Sequence, residues 1–209
     1  SGFGTASVAG KTWAAFGAPN SVSSDGLVIV YQRASNGIYD SKQCLGIGPH
    51  SNNSPKFGFN LAMSKDDRYL FVSAPNENAV YCFAQKVVAT TDEVVQTVTG
   101  TASSTTAFTL TWTPSSVYSL HVLDENSKEY VPYKDYNINR AVLTFTTAPA
   151  NGLKVVVREG THYVLVDTIT GSSSATGDQF GFSIDCDTAG DTLVVGAPYA
   201  EVTNSSSAS

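Results

Sequence analysis

A chain of 209 residues with 42% hydrophobic residues is long and apolar enough to bury a core, which sets it apart from disordered sequences. Charged residues make up 14%, well under the usual quarter or so, and the net charge is -6 with 12 basic residues scattered singly among 18 acidic ones. That balance excludes a phosphate-neutralising nucleic-acid binder, and no apolar run reaches the length of a membrane helix, so membrane insertion is not expected. Three cysteines, Cys44, Cys82 and Cys186, are too few and too odd in number for a disulfide framework and read as buried thiols of a protein folded in a reducing cytoplasm.

In chain order, the first pattern is Phe3-Gly4 followed by Ala14-Ala15-Phe16-Gly17-Ala18-Pro19. Asp25-Gly26 then leads into the strand Leu27–Tyr31, and Ser35-Asn36-Gly37 turns the chain into a fourth strand. The same order returns at Phe57-Gly58, with the alternating run Phe59–Ser64, a polar turn Lys65–Arg68, a strand closing on Ser73-Ala74-Pro75, and a hairpin partner Ala79–Phe83. It returns once more at Phe180-Gly181, with the turn Thr188–Gly190 and the strand Thr192–Val195 closing on Gly196-Ala197-Pro198. From Phe to Pro the three spacings are 16, 18 and 18 residues. Small residues at the strand end let backbones approach, and proline stops ladder pairing. Four short antiparallel strands per repeat is the make-up of a propeller blade.

The repeat interval exposes an insertion. Phe3 to Phe57 is 54 residues but Phe57 to Phe180 is 123, an excess of 69. The extra segment is placed at Val94–Thr161, between the strand ending Phe83-Ala84-Gln85 and the blade's resumed last strand, Tyr163–Asp167. Its own strands are Thr106–Trp112, Ser119–Leu123, Ala141–Thr146 and Leu153–Arg158, with turns at Asp124–Ser127 and Pro149–Gly152. The expected fold is therefore all-β. A partial β-propeller occupies residues 1–93 and 162–209, and a small β-sandwich-like domain is inserted at 94–161. The chain opens at Ser1-Gly2 and carries two full blades and half a third, which reads as a segment of a larger chain.

The three units resemble FG-GAP repeats, the repeats of integrin α-chain propellers and of many bacterial and viral propellers. The insert is similar to a small β module of phage tail fibres. That likeness lies in Thr105–Leu110, Pro114–Leu120, Asp135-Tyr136 and Leu143–Gly152. Together the resemblances imply a non-enzymatic virion structural or attachment protein, such as a tail fibre, assembled in the host cytoplasm. Its partners would be other virion proteins and a host-surface glycan or protein, and it would be a homo-oligomer or part of a longer chain. The alternatives are a bacterial surface or secreted adhesion protein and, third, a tail-associated glycan depolymerase.

Calcium-binding members of the repeat family carry an Asp-x-Asp-x-Asp-Gly-type loop between the first two strands, because calcium needs several converging oxygens. Of the corresponding turns, Ala9–Lys11 and Ser64–Arg68 cannot supply such a set; the third holds three aspartates, Asp185, Asp187 and Asp191, which read as a solvated hairpin, so no cofactor is expected. Asp66-Asp67 and Asp124-Glu125 likewise read as solvated turns. His50, His121 and His162 have no partner motif for nucleophilic or metal chemistry, and no catalytic residue is assigned. The tyrosines around the insert's turns, Tyr118, Tyr130, Tyr133 and Tyr136, are the candidates for an exposed binding surface.

Overall fold

A computed structural model describes residues 2–21, 25–47, 54–88, 95–98, 106–111, 113, 120–124, 129–132, 134–149, 153–157, 160–171, 175 and 177–201. Strands β1 (Ala6–Ala9), β2 (Trp13–Ala18), β3 (Leu27–Arg33) and β4 (Tyr39–Leu45) form one antiparallel sheet in sequence order. A second begins with β5 (Leu61–Met63), β6 (Tyr69–Ala74) and β7 (Ala79–Val88), with a 3-10 turn at Pro75–Glu77 between the last two. The chain then makes β8 (Val95–Val98), β9 (Ala107–Thr109), β10 (Leu120–Leu123), β11 (Tyr136–Asn139), β12 (Val142–Phe145) and β13 (Leu153–Val157). It returns as β14 (Gly160–Thr170), the edge of the second sheet, whose order is β14-β7-β6-β5. A hairpin of β15 (Ser183–Cys186) and β16 (Leu193–Gly196) follows. The fold is all-β with several antiparallel sheets, none closed on itself.

The recurring sequence unit is a recurring backbone. Gly4, Gly58 and Gly181 all have positive φ (79°, 85° and 94°), the third position of a type II-like turn that only glycine occupies at little cost. Each turn closes by the same bond: Thr5 N–H to the Gly2 carbonyl (3.2 Å), Phe59 to Lys56 (3.0 Å) and Phe182 to Gln179 (3.0 Å). Each glycine N–H then reaches the small residue before Ala-Pro: Gly4 to Gly17 (2.8 Å), Gly58 to Ser73 (3.0 Å) and Gly181 to Gly196 (3.1 Å). The Phe-Gly pair thus pins the entry of each sheet to the end of its second strand.

The excursion between β7 and β14 leaves and rejoins a single ladder. Val88 pairs with Gly160 and Ala79 with Thr170, with one bulge between Leu165 and Asp167. Inside the excursion the strands form two three-stranded sheets, β10-β13-β8 and β11-β12-β9. They share a core of Phe108, Leu120, Val122, Tyr136, Leu143 and Phe145, with Phe108 edge-on to Phe145 at 5.8 Å. This core is not a separate island. One buried cluster also takes in Trp13, Val28, Leu45 and Ile47 of the first sheet and Phe57, Leu70 and Phe83 of the second. Gly46, just after β4, lies against the Pro132 carbonyl and Val131, where an added Cβ would come within 2.9 Å of that oxygen. The segment is seated on the sheets rather than projecting from them.

The two four-stranded sheets pack face to face, and polar groups fix their spacing. Gln43 is 1% exposed; its Nε2 donates to the Tyr163 carbonyl and its Oε1 accepts from Tyr163 N–H, both at 2.8 Å. A side-chain amide thus stands in for a peptide group between β4 and β14, and the Trp13 and Tyr163 rings meet edge to face at 5.5 Å. At Gly17 the backbones approach so closely that a Cβ would collide with the Gly58 carbonyl. A second, smaller cluster of Ala62, Phe71, Val80, Cys82 and Ile184 joins the opposite face of the second sheet to the β15–β16 hairpin.

Candidate functional site

The stacked sheets bring their first hairpin turns into one row, and this is where most candidate carboxylates lie. Asp67, expected in a solvated turn, is 4% exposed. Its backbone is left-handed (φ 67°), which turns the carboxylate away from water and onto the neighbouring turn. One oxygen accepts Lys11 N–H (2.7 Å); the other accepts Thr12 N–H and the Thr12 hydroxyl (both 2.8 Å). The Tyr163 hydroxyl donates to the Asp67 carbonyl at 2.7 Å. Asp66 does stay at the surface, and the Ser64 hydroxyl bond (2.7 Å), helped by Arg68, holds its pKa below the usual carboxylate value. On the other side, Lys65 N–H donates to the Thr188 carbonyl (2.9 Å) and Arg68 Nη2 to that of Ala189 (3.2 Å), tying in the third turn.

Asp185, Asp187 and Asp191 do not converge. Asp187 Oδ1 accepts Asp191 and Thr192 N–H groups (2.8 and 3.2 Å), shaping its own turn, while Asp185 Oδ1 accepts Cys186 N–H (2.9 Å) from along the strand. Asp191 is 3.9 Å from Arg68 Nη2. Among the described residues no group of three His, Cys, Asp or Glu side chains is placed to hold a metal ion.

The tyrosine candidates divide. Tyr118 and Tyr133 lie outside the described residues. Tyr136, expected at the surface, is 1% exposed: it opens β11 on the inward side of the strand's alternation and packs on Phe145 across the ladder at 5.9 Å. Tyr130 is half-buried and edge-on to Phe145 at 5.2 Å. It lines a cavity of about 270 Å3 with Lys134, Asp135, Thr146, Thr147 and Pro149. Of the remaining candidates, His50 and Glu125 are outside the described residues, His121 lies on β10 opposite Val156, and His162 is 1% exposed on β14. Burial pushes the Cys82 thiol up to about 11, with Asp167 adding to the shift, and raises Cys186 and the Tyr163 and Tyr81 phenols as well. These are groups held in their neutral forms.

One surface escaped the sequence reading. The outer face of the first sheet carries Phe3 stacked on Phe16 (5.8 Å) and Phe16 edge-on to Tyr31 (5.5 Å), with Tyr39 alongside. With Ala9 and Ala14 they line an open groove of about 470 Å3, and Phe3 is 53% exposed. The apolar runs of β2 and β3 place apolar side chains on both faces of the first sheet, and the face bearing Phe16 and Tyr31 is the more open one.

Residues 163–209, from Tyr163 of β14 through the β15–β16 hairpin, match the FG-GAP repeat. The third unit is therefore an FG-GAP-type repeat, and the units at Phe3 and Phe57 share its turn geometry. No curated protein and no solved structure matches the chain. No helix among the described residues is long and apolar enough to cross a membrane.

Proposed function

We propose that the chain is a non-enzymatic scaffold and attachment protein. Its FG-GAP-type sheets are blades of a propeller, and the stretch between Val88 and Gly160 is a guest β module presented for contact with a host surface or another protein. The carrying observation is the β7–β14 ladder, which the excursion leaves at Val88 and rejoins at Gly160 while remaining packed on the first sheet at Gly46. A module held at both ends and along its base keeps a fixed orientation, as attachment requires, and surface loops on a rigid scaffold are the usual carriers of recognition. The likeness of the insert to tail-fibre modules makes a virion appendage the setting. Two measurements test this. Antibodies raised against the chain should decorate purified phage particles in electron micrographs, and the labelled chain should bind host cells saturably without releasing sugar from their polysaccharide. Unlabelled particles would remove the virion setting, and sugar release would replace attachment with hydrolysis.

A further inference from the structure

The excursion between β7 and β14 carries a hollow of its own, the cavity of about 270 Å3 beside Tyr130. Local hydrogen bonds hold its walls in place. Asp135 N–H donates to the Val131 carbonyl and Thr146 N–H to the Asp135 carbonyl, both at 2.9 Å, and the Thr146 hydroxyl donates to the Lys134 carbonyl at 2.9 Å. Lys134 and Asp135 are thereby fastened to the chain leaving β12. Tyr130 is tied in by its N–H to the Val122 carbonyl (2.8 Å) and by the edge-on contact of its ring with buried Phe145.

The wall chemistry is mixed. Asp135 Oδ2 accepts Val131 N–H (2.8 Å), whereas Oδ1 stands 3.7 Å from Lys134 Nζ, beyond hydrogen-bond distance. An anionic acceptor and a cationic donor therefore lie side by side without a direct bond, on side chains 27% and 42% exposed. Thr146 and Thr147, both exposed, add hydroxyl-bearing side chains, while Tyr130, Phe145 and Pro149 supply the apolar wall. A bare anion would gain the ammonium but meet the carboxylate, and an apolar guest would strip water from both charges without replacing it. A sugar ring suits both surfaces. Neighbouring hydroxyls can donate to Asp135 Oδ1 and accept from Lys134 Nζ, while the C–H face of the ring lies against the aromatic wall. Size agrees, because pockets for drug-sized ligands run from roughly 300 to 1,000 Å3 and this one is just smaller.

Resting on the attachment reading above, the geometry points to a saccharide subsite at Tyr130, Lys134, Asp135, Thr146 and Thr147, taking one neutral pyranose with vicinal hydroxyls from a host-surface glycan. A single ring held by so few groups binds at roughly millimolar strength.

Amide NMR titration of the full chain tests this with the methyl pyranosides of glucose, galactose, mannose and N-acetylglucosamine. Inorganic phosphate and tetrahydropyran-2-methanol, a ring without a vicinal diol, are the comparison probes. At least one pyranoside should give saturable shifts at the Lys134, Asp135, Thr146 and Thr147 amides, and both comparison probes should leave them in place. Lys134→Met and Asp135→Asn should each weaken the binding about tenfold, whereas Lys11→Met on the first sheet should not. Where Asp135→Asn does not fold, Lys134→Met and Thr147→Val, both at exposed positions, carry the test. No saturable shift with any pyranoside, phosphate shifting these amides as strongly as a sugar, or Lys134→Met binding like the wild type would overturn the inference. Cell binding separates this site from the reading it rests on. A labelled chain that binds host cells equally well with and without Lys134→Met keeps attachment and removes the subsite. Pyranoside shifts at the cavity without any cell binding keep the subsite and remove attachment.

Discussion

Replacing Asp67 by Asn tests whether neighbouring sheets are held in register through their turns. Asparagine tolerates the left-handed backbone at this position and keeps the side-chain shape, so the change isolates the hydrogen bonding. Asp67 accepts three donors of the first turn. The amide retains one good acceptor and must aim its own NH2 at another donor. The best orientation keeps the two Thr12 bonds as neutral ones and abandons Lys11 N–H. Losing one bond to a charged acceptor and weakening two, offset by no longer burying a charge, costs about 2 kcal/mol. Asp67→Ala orphans all three donors and puts a Cβ-bearing residue without a polar side chain in the left-handed region, for about 4 kcal/mol in all. With a urea m-value of about 3 kcal/mol/M, the Asn variant should shift the unfolding midpoint down by about 0.7 M. Native-state hydrogen exchange should show loss of protection at Lys11 and Thr12 beyond that of the β7–β14 ladder. An Asn variant with unchanged midpoint and intact protection at those two amides would refute the reasoning.

Gln43→Leu should cost about 3 kcal/mol, because it strands the buried N–H and carbonyl of Tyr163, and urea unfolding measures it. Gly17→Ala should cost about 3 kcal/mol, since the new Cβ meets the Gly58 backbone carbonyl, which cannot rotate away. Gly4→Ala, with nothing within 4 Å of its Cβ but φ at 79°, should cost only about 1 kcal/mol by the same assay. Cys82 should resist alkylation in the native chain at neutral pH and react on unfolding, scored by mass spectrometry. Its folded pKa of about 11 lies above the ordinary 9.0, so its contribution to stability is complete below about pH 9 and is lost as pH rises through 11. Cys82→Ala should flatten that part of the alkaline stability profile.

The repeats were legible because their geometry demands particular residues. A positive φ after each Phe calls for glycine, and close backbone approach at the strand end calls for Gly or Ser, so both leave marks at fixed spacing. The resumed strand was visible at Tyr163–Asp167 as a run of aromatic and aliphatic residues, although β14 spans Gly160–Thr170. What the sequence could not separate was which of two like neighbours is buried. Asp66 and Asp67 are identical in composition, and only the left-handed backbone at the second sends its carboxylate into the next sheet. Tyr136 sits near a turn, which suggested exposure, but strand parity points it at Phe145. Phe16 and Val72 occupy equivalent apolar positions, and their different exposure depends on whether a sheet lies outside them.

The most direct measurement is an experimental structure of the chain, read at the backbone of Gly4, Gly58 and Gly181 and at the partner of Tyr163–Thr170. The account predicts three superposable turns, each glycine amide bonded to residue 17, 73 or 196, and Tyr163–Thr170 paired with Ala79–Gln85. Three unrelated backbones, or a Tyr163–Thr170 strand paired within the 95–157 sheets, would contradict it.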